Sequence, residues 1–298
     1  MGLRTSDVEG LRPFSDMELF APAKVNLYLR ITGRRDDGYH LLDTLMVPIS
    51  LGDDVEIDRI DGAPGSLTLH ADTPDLPLGE KNTVHRAARA FRERTGRRDP
   101  VSVTIRKRIP VGAGLGGGST DAAAVLRGLN ELLEGGLSAE DLQALAVSVG
   151  ADVPFFIRGE AARARGIGEV LSPVGPLPRL WMVVLFPNLA VSTAQVYRNF
   201  RFKLTKPSNN NNLFEKLNTL DEVAQVMVND LETVTIGRYP RIARLKDRLN
   251  ESGAIGSLMS GSGSAVFGLF AGEADANRAF AGFEGEKDIR AYLAFSLT

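Results

Sequence analysis

The glycine-rich segment 109–126, IPVGAGLGGGSTDAAAVL, constrains most strongly what this chain can fold into. Five glycines occur in the seven positions from Gly112 to Gly118, after a segment of strand-like alternation and before one of helical character. Glycine lets the backbone approach a ligand closely, and a helix N-terminus attracts anions through its N–H groups and dipole. The segment therefore predicts a strand, a loop and a helix that cradle a phosphate group, although such a cluster can also form a plain tight turn.

The loop and its surroundings do not match either of two familiar nucleotide-binding motifs. Gly112, Gly114 and Gly117 satisfy G-x-G-x-x-G, but the preceding strand alternates polar and apolar residues. The first strand of a Rossmann fold is instead buried on both faces, and the expected acid about 20 residues further on is missing. A Walker A loop needs a lysine after its last glycine, and here Ser119 follows Gly118 directly. An NAD-dependent oxidoreductase is therefore the weaker alternative.

The composition narrows the classes of function. The 298 residues carry 35 Lys and Arg against 37 Asp and Glu, so an anionic ligand must be held by local groups rather than by an overall field. The absence of cysteine excludes a disulfide scaffold, an iron–sulfur cluster and a thiolate zinc site. No apolar run approaches the roughly 20 residues that span a bilayer, and the first residues lack the apolar part of a secretory signal. We therefore expect a cytoplasmic protein without a membrane or nucleic-acid partner.

The length and the distribution of turn residues predict two domains. Proline and glycine density rises at 172–178, where we place the boundary. Beyond it the elements follow the order strand, helix, strand, strand, helix, strand, with extra helical material near 219–232. This is the ferredoxin-like order. The predicted parts are a loose tail over 1–16, a first domain over 17–174 and a second domain over 175–298, with a polar surface loop at 208–212.

Local patterns predict the elements of the first domain. Five short runs of strand character are separated by turn residues, and they are 17–22, 25–31, 41–49, 54–60 and 66–70. The strongest helix follows Asn82, which can cap it. Apolar residues recur at helical spacing, so one buried face is expected to contain Val84, Ala87, Ala88 and Phe91.

Four ordered segments resemble the GHMP kinase superfamily, and they are 21–46, 109–123, 149–156 and 258–270. Pro110, the glycines of the loop and Ser119 match the superfamily's second motif, P-x-x-x-G-L-G-S/G-S. The first segment, P-A-K-x-N-L-x-L followed by D-G-Y-H, resembles the kinases that act on 4-diphosphocytidyl-2-C-methyl-D-erythritol. Thr120 stands where a second serine is frequent and keeps a hydroxyl group.

The resemblance implies an α+β chain with two domains. The N-terminal domain would be like domain 2 of ribosomal protein S5, with a left-handed βαβ crossover, and the C-terminal domain would be ferredoxin-like. ATP with Mg²⁺ and the small-molecule substrate, cytidine-diphosphate methylerythritol, would meet in the cleft between them. The implied reaction is phosphorylation of the substrate's 2-hydroxyl group in non-mevalonate isoprenoid precursor synthesis.

Two alternatives share this fold. One is another GHMP kinase that acts on mevalonate, homoserine or a sugar; it would have no use for the D-G-Y-H segment. The other is a non-catalytic RNA-binding relative with the S5-type fold. Such a protein should present a basic face, and the net charge of −2 argues against it.

The resemblance implies that Asp152 is the catalytic base and that Lys24 is a cation orienting it and the reacting hydroxyl. Phosphoryl transfer asks a protein mainly to position reactants and offset developing charge, so a weak base suffices if the proton leaves late. Asn26 lies on the same strand face as Lys24 because side chains alternate along a strand. Taken alone, Lys24 could be a surface cation and Asp152 a loop-capping carboxylate.

The remaining site residues also follow from the resemblance. Tyr39 and His40 suit a flat base through stacking and edge hydrogen bonds, although such a pair often only packs. The segment 261–263 would line the cleft near the phosphates, or form a hairpin turn, and a side chain at Gly116 is expected to occupy space that the phosphates need. No protein metal ligand is predicted, because Mg²⁺ commonly relies on phosphates and waters. The implied ATP contacts are Lys107, Pro110, Gly112, Gly114, Leu115, Gly116, Gly117, Gly118, Ser119 and Thr120, and the implied substrate contacts are Asn26, Tyr39, His40 and Thr193.

Overall fold

The computed structural model describes residues 16–74, 76–201, 214 and 217–297. Apart from Asp16, the predicted tail at 1–16 lies outside the described residues, and so does the predicted polar loop at 208–212. Among the described helices, none has the length and apolar character needed to cross a membrane.

The described chain forms two β-sheets with helices packed against them. The strands are β1 (Met17–Arg34), β2 (His40–Arg59), β3 (Leu67–Ala71), β4 (Val101–Arg106), β5 (Ala162–Gly166), β6 (Val170–Pro173), β7 (Trp181–Phe186), β8 (Val228–Asn229), β9 (Gly256–Met259), β10 (Val266–Phe270) and β11 (Arg290–Phe295). The helices are α1 (Thr83–Thr95), α2 (Gly117–Leu132), α3 (Ala139–Val149), α4 (Val153–Arg158), α5 (Thr193–Asn199), α6 (Leu220–Val226), α7 (Glu232–Arg238), α8 (Arg241–Glu251) and α9 (Glu273–Ala281).

The first sheet is built on a long antiparallel hairpin of β1 and β2. Its strand order is β3-β4-β2-β1-β8, and β5 pairs with the first half of β2 and carries β6. The prediction of four short strands in this region was wrong, because two continuous strands run through the positions taken as breaks. The ladder shifts register between Pro22 and Ala23 and again between Asn26 and Tyr28. A bulge tolerates a proline that a regular ladder would not, so the proline did not end the strand.

The second sheet confirms the ferredoxin-like order. Its strands follow the order β11-β7-β10-β9, and every neighbouring pair is antiparallel. The short strand β8 is the exception within this part of the chain, since it pairs in parallel with Tyr28 and Leu29 of β1 in the first sheet. The chain changes sheet between β6 and β7, while the boundary at 174/175 stays a prediction.

Hydrogen bonds tie the two sheets together on both sides of the hairpin. On one side, β8 pairs with β1, and the side-chain amide of Asn229 in β8 donates hydrogen bonds to the carbonyls of Met259 in β9 and Gly261, at 2.7 Å each. On the other side, the end of β11 reaches β2, where the N–H of Leu297 donates to the carbonyl of Pro48 at 2.9 Å. The hairpin is therefore shared by both halves of the fold.

The helix predicted after Asn82 is confirmed. The side-chain oxygen of Asn82 accepts a hydrogen bond from the N–H of Val84 at 2.9 Å, and Gly96 in the left-handed conformation ends the helix. Its buried face contains the four predicted residues Val84, Ala87, Ala88 and Phe91. This face packs with α2 in the core of the first sheet, and α2 begins at the glycine loop. The core thus fixes the position of the loop.

A packing prediction follows from Gly128 in α2. A Cβ atom there would lie 2.5 Å from Cδ1 of Ile57 and 2.9 Å from Cδ1 of Leu19, so these two side chains would have to shift from their packed positions. We expect Gly128→Ala to lower the free energy of unfolding by about 1–3 kcal/mol, as overpacked cores do. Gly237 in α7 is the matched control, because a Cβ there meets no described atom within 4 Å. Gly237→Ala should be neutral or up to about 1 kcal/mol more stable. Urea unfolding measures both variants, and equal midpoints would contradict the prediction.

Candidate active site

One cavity of about 870 Å³ lies where the hairpin, the glycine loop, α4 and α5 meet. It gathers residues that are as much as 238 positions apart in the chain (Lys24 to Ser262). The predicted site residues that line it are Lys24, Asn26, Tyr39, His40, Lys107, Pro110, Gly112, Gly114, Leu115, Gly116, Gly117, Gly118, Ser119, Asp152 and Thr193, and the predicted segment 261–263 adds Gly261 and Ser262.

Thr120 is the predicted ATP contact that does not line the cavity. Its side chain is fully buried, and its hydroxyl has no hydrogen-bond partner among the described residues. In an α-helix each residue is rotated by about 100° from the one before it. Ser119 therefore faces the cavity while Thr120 faces the core, and a contact of Thr120 with ATP stays a prediction.

The glycine loop is fastened to the second sheet through its carbonyl groups. The carbonyls of Gly112 and Ala113 accept hydrogen bonds from the N–H groups of Val191 (3.2 Å) and Ala265 (3.0 Å). The next carbonyl, that of Gly114, accepts from the hydroxyl of Ser260 at 3.0 Å. A Cβ at Gly114 would lie 2.2 Å from the carbonyl oxygen of Ser260, and φ is +82° there. Only glycine permits this close approach.

A side chain at Gly116 would not point into the space expected for the phosphates. A Cβ there would lie 2.6 Å from Cζ of Phe156 and 3.2 Å from Cγ of Lys24, so a side chain would enter the protein rather than the cavity. At Gly118 the only described atom within 4 Å of a Cβ is Oγ1 of Thr83, at 3.3 Å, and both residues line the cavity. Gly118 is therefore the loop position where a side chain would compete with a ligand.

Lys24 and Asp152 face each other across the cavity. The Lys24 ammonium lies 3.9 Å from Oδ2 of Asp152, and the two side chains are 5% and 35% exposed. It donates hydrogen bonds to Oδ1 of Asn26 (2.5 Å) and to the carbonyl of Gly114 (3.0 Å). Burial lowers the pKa of Lys24 below its usual range, and the charge of Asp152 opposes this shift.

These positions exclude the two plain alternatives. Lys24 is buried, so it is not a surface cation. Asp152 occupies the N-cap position of α4 but makes no capping hydrogen bond with its side chain, so it is not a capping carboxylate. Both groups are therefore available to a ligand in the cavity.

Lys107 belongs to a buried charge cluster that the sequence analysis missed. Its ammonium donates to Oδ2 of Asp53 (2.5 Å) and to Oδ2 of Asp121 (2.8 Å). The other oxygen of Asp53 accepts the N–H groups of Arg108 (2.7 Å) and Ile109 (2.8 Å). Burial lowers the pKa of Lys107, but the two carboxylates outweigh burial and raise it overall. The available signal was Asp121, an acid in an otherwise small and apolar helix.

Aromatic side chains surround the other end of the cavity. The ring of His40 lies 5.4 Å from that of Tyr197 and 6.1 Å from that of Phe200, and Tyr39 is 60% exposed beside them. Burial and the charge of Arg34 lower the pKa of His40. The sequence analysis missed Tyr197 and Phe200. Tyr197 lies one turn of α5 beyond Thr193, and this helical spacing was the signal that could have found it.

Thr193 connects this aromatic end to the third glycine segment. Its hydroxyl oxygen lies 2.8 Å from that of Ser262, within hydrogen-bond distance. The predicted segment 261–263 therefore contributes to the cavity wall through Gly261 and Ser262, and it is also the turn of the hairpin formed by β9 and β10.

Comparisons with known proteins agree on one superfamily. The family models "GHMP kinases N terminal domain" and "GHMP kinases C terminal" match residues 82–160 and 210–287. A 4-diphosphocytidyl-2-C-methyl-D-erythritol kinase from Syntrophotalea carbinolica is 47% identical over 282 residues, which cover 94% of this chain and 98% of that protein. One of the same name from Shouchella clausii is 38% identical over 89% of each chain.

Solved structures give the same result. A crystal structure of a 4-(cytidine 5'-diphospho)-2C-methyl-D-erythritol kinase superposes with a TM-score of 0.77 at 40% identity, covering 94% of this chain and 99% of that one. A homoserine kinase from Cytophaga hutchinsonii superposes with a TM-score of 0.71 over 97% of both chains, but at 21% identity it shows the fold alone.

The buried cluster around Lys107 generates a prediction for stability against pH. Burial raises the pKa of Asp121 to about 7; the charge of Lys107 opposes this shift and that of Asp53 adds to it. In the unfolded chain the group titrates near 3.8. Its folded form therefore keeps a proton that the unfolded form has lost, and this stabilisation disappears as the pH rises from about 4 to 7. The free energy of unfolding of the wild type, measured relative to that of Asp121→Asn, should therefore fall by on the order of a few kcal/mol from pH 4 to pH 7.

Chemical denaturation at pH 5, 6 and 7 measures the difference in free energy of unfolding between the wild type and Asp121→Asn. Asp141→Asn is the control. Hydrogen bonds from Arg94 and Ser138 lower the pKa of Asp141. Its contribution is therefore lost only at acid pH, and the difference between Asp141→Asn and the wild type should stay constant from pH 5 to 7. A constant difference for Asp121→Asn as well would contradict the prediction.

Proposed function

The chain belongs to the 4-diphosphocytidyl-2-C-methyl-D-erythritol kinases of the GHMP superfamily, and we propose on this basis that Asp152 and Lys24 are its catalytic pair. The reaction is transfer of the γ-phosphoryl group of ATP to the 2-hydroxyl of 4-diphosphocytidyl-2-C-methyl-D-erythritol, a step of non-mevalonate isoprenoid precursor synthesis. The observation that most supports the pair is its position, with the ammonium and carboxylate 3.9 Å apart beside the glycine loop.

Asp152 accepts the proton of the attacking hydroxyl, and Lys24 orients the carboxylate and offsets charge on the transferred group. In a loose transition state the proton leaves late, so a carboxylate of ordinary strength suffices. The ammonium is held inside the protein by Asn26 and Gly114. Such preorganised charge acts more strongly than the same charge in water.

The glycine loop and the start of α2 hold the phosphates of ATP. An α-helix leaves its first N–H groups without intrahelical partners, and Gly117 and Gly118 at the start of α2 line the cavity. These N–H groups and the helix dipole attract phosphate. Lys107 lines the same part of the cavity and can offer an N–H donor to the phosphates, while Asp53 and Asp121 offset its positive charge.

Mg²⁺ would accompany the nucleotide and neutralise charge on its β- and γ-phosphates. Among the described residues no group of three His, Cys, Asp or Glu side chains could enclose a metal ion. A magnesium ion commonly keeps several waters and leans on phosphate oxygens. Ser119, which faces the cavity beside the loop, offers a hydroxyl that fits such an ion.

The aromatic end of the cavity binds the cytosine base. Tyr39 offers an exposed ring face for stacking, and His40 offers ring nitrogens for the base edge, with Tyr197 and Phe200 behind it. Thr193 and Ser262 lie between this end and the catalytic pair, where the diphosphate and tetritol would pass. A kinase of mevalonate or homoserine has no base to stack and no need for this arrangement.

We predict that Asp152→Asn lowers kcat by about 100-fold or more, which is the scale of general-base catalysis. The amide keeps the shape of the carboxylate but cannot accept the proton or complement Lys24. The dissociation constant of ATP should stay within about twofold of wild type, because a transition-state role leaves ground-state binding intact. Steady-state kinetics and ATP titration measure the two quantities. A purified, folded variant with normal kcat would remove Asp152 from the mechanism.

The second prediction concerns specificity. Tyr39→Ala should raise KM for the cytidylylated substrate by roughly 5- to 150-fold, which corresponds to the stacking free energy of one base on an aromatic ring. KM for ATP should stay nearly unchanged. His40→Ala should also relax discrimination against other bases, because an unpaired polar site no longer penalises them.

A substrate series tests the proposed function itself. The wild type should phosphorylate the cytidylylated tetritol far better than the free tetritol phosphate, mevalonate or homoserine, and the variant lacking both Tyr39 and His40 should narrow the gap to the free tetritol phosphate. If the wild type shows no preference for the cytidylylated form, a more general GHMP small-molecule kinase must replace the proposal.

A further inference from the structure

We propose that Thr44 is a positioning residue that fixes the side-chain amide of Asn26 and, through it, the ammonium group of Lys24. The inference rests on the proposed function, in which Lys24 orients Asp152 and offsets charge on the transferred group. Thr44 lies on β2, one strand away from the catalytic lysine, and lines the same cavity.

Three hydrogen bonds connect the lysine to the backbone. The Lys24 ammonium donates to Oδ1 of Asn26 at 2.5 Å, and Nδ2 of Asn26 donates to the hydroxyl oxygen of Thr44 at 2.9 Å. The hydroxyl of Thr44 donates to the carbonyl of Tyr28 at 2.6 Å. All three side chains are buried, so this relay is shielded from competing water.

The hydrogen bond from Thr44 to the carbonyl of Tyr28 determines which group donates and which accepts in the other two bonds of the relay. A backbone carbonyl can only accept, and a hydroxyl has a single proton to donate. Since that proton goes to Tyr28, Thr44 can only accept from Asn26. The NH₂ group of Asn26 therefore faces Thr44, and its oxygen faces Lys24. The opposite orientation of the amide would place two donors, NH₂ and ammonium, against each other.

The strand geometry explains why these side chains meet. Met46 pairs with Asn26 across the hairpin, and Thr44 lies two residues along β2 on the same face. The register shift between Asn26 and Tyr28 then places Leu29 opposite Thr44. Bulges of this kind re-aim side chains next to active sites. The irregularity therefore belongs to the construction of the relay.

The relay determines where the remaining proton of the lysine points. An ammonium group has three donors. Asn26 and the carbonyl of Gly114 take two of them, and the third is left on the side of Asp152, which lies 3.9 Å away. Without a fixed acceptor at Asn26, the ammonium could turn away from the reacting hydroxyl. Thr44 thus acts on catalysis through Asn26 and Lys24 and needs no contact with the substrate.

The same contacts affect protonation of the lysine. Burial lowers the pKa of Lys24 and Asp152 raises it. Asp152 on α4 is the charged group that faces Lys24, and β1 and the glycine loop contribute an amide and a carbonyl. Tyr197 on α5 stays neutral because burial and Asp152 raise its pKa. Loss of the accepting oxygen of Asn26 would therefore favour neutral Lys24 and lower its pKa further.

The experiment compares Thr44→Val with Thr44→Ser. Valine keeps the branched shape but cannot accept from Asn26, and serine restores the hydroxyl. We expect Thr44→Val to lower kcat by about 10- to 100-fold, because a buried donor is left unpaired beside the lysine, with KM for ATP within about twofold. Thr44→Ser should recover most of kcat. The alkaline limb of the kcat–pH profile should move to lower pH in Thr44→Val and return in Thr44→Ser.

Two controls separate the outcomes. Thr95→Val removes a hydroxyl that donates to a backbone carbonyl at 2.9 Å in α1, and it should leave kcat and the pH profile unchanged. Lys24→Met tests the premise, since normal turnover in that variant would overturn the proposed role of the lysine itself. If Lys24→Met is inactive while Thr44→Val keeps kcat within twofold and the same alkaline limb, the relay alone is overturned. Should the valine variant fail to fold, Thr44→Ala is measured by the same criteria.

Discussion

The buried ammonium group of Lys24 is the constraint around which the active site is arranged. A charge inside a protein is costly unless hydrogen bonds compensate for it. Here the compensation comes from Asn26 on the same strand and from Gly114 in the glycine loop. The backbone N–H of Lys24 also donates to the carbonyl of Leu115 at 2.9 Å. The buried lysine and the glycine loop thus fix each other's position.

A second buried cation holds the beginning of the same loop. Lys107 bridges Asp53 in β2 and Asp121 in α2, and Asp53 also accepts hydrogen bonds from the N–H groups of Arg108 and Ile109. The loop is therefore clamped before its first glycine and again at Gly114. The net charge of the chain is −2, so the proposed phosphate contacts rest on the N–H groups at the start of α2 rather than on a basic surface.

The features that depend on local chemistry could be predicted from the sequence. The helix capped by Asn82, the ferredoxin-like order and the loop-to-helix junction all follow from turn residues and periodicity, and the resemblance to GHMP kinases brought distant residues to one cleft. Features that depend on long-range geometry were not predicted. The continuity of β1 through Pro22 depends on a bulge, and the cluster around Lys107 depends on a strand 54 residues away in sequence. The direction of a side chain at Gly116 depends on its positive φ.

The two ties that flank the hairpin have a consequence for motion. On one side, Asn229 of β8, which pairs with β1, donates to Met259 and Gly261. On the other side, Pro48 of β2 accepts from Leu297, so the second sheet is tied to both strands that form the floor of the cleft. A hinge rotation that opened the cleft would have to break hydrogen bonds at both flanks together, whereas rotation of side chains costs far less. Substrate exchange is therefore expected to depend on the exposed ring of Tyr39 and the turn before it, with the two sheets moving as one body.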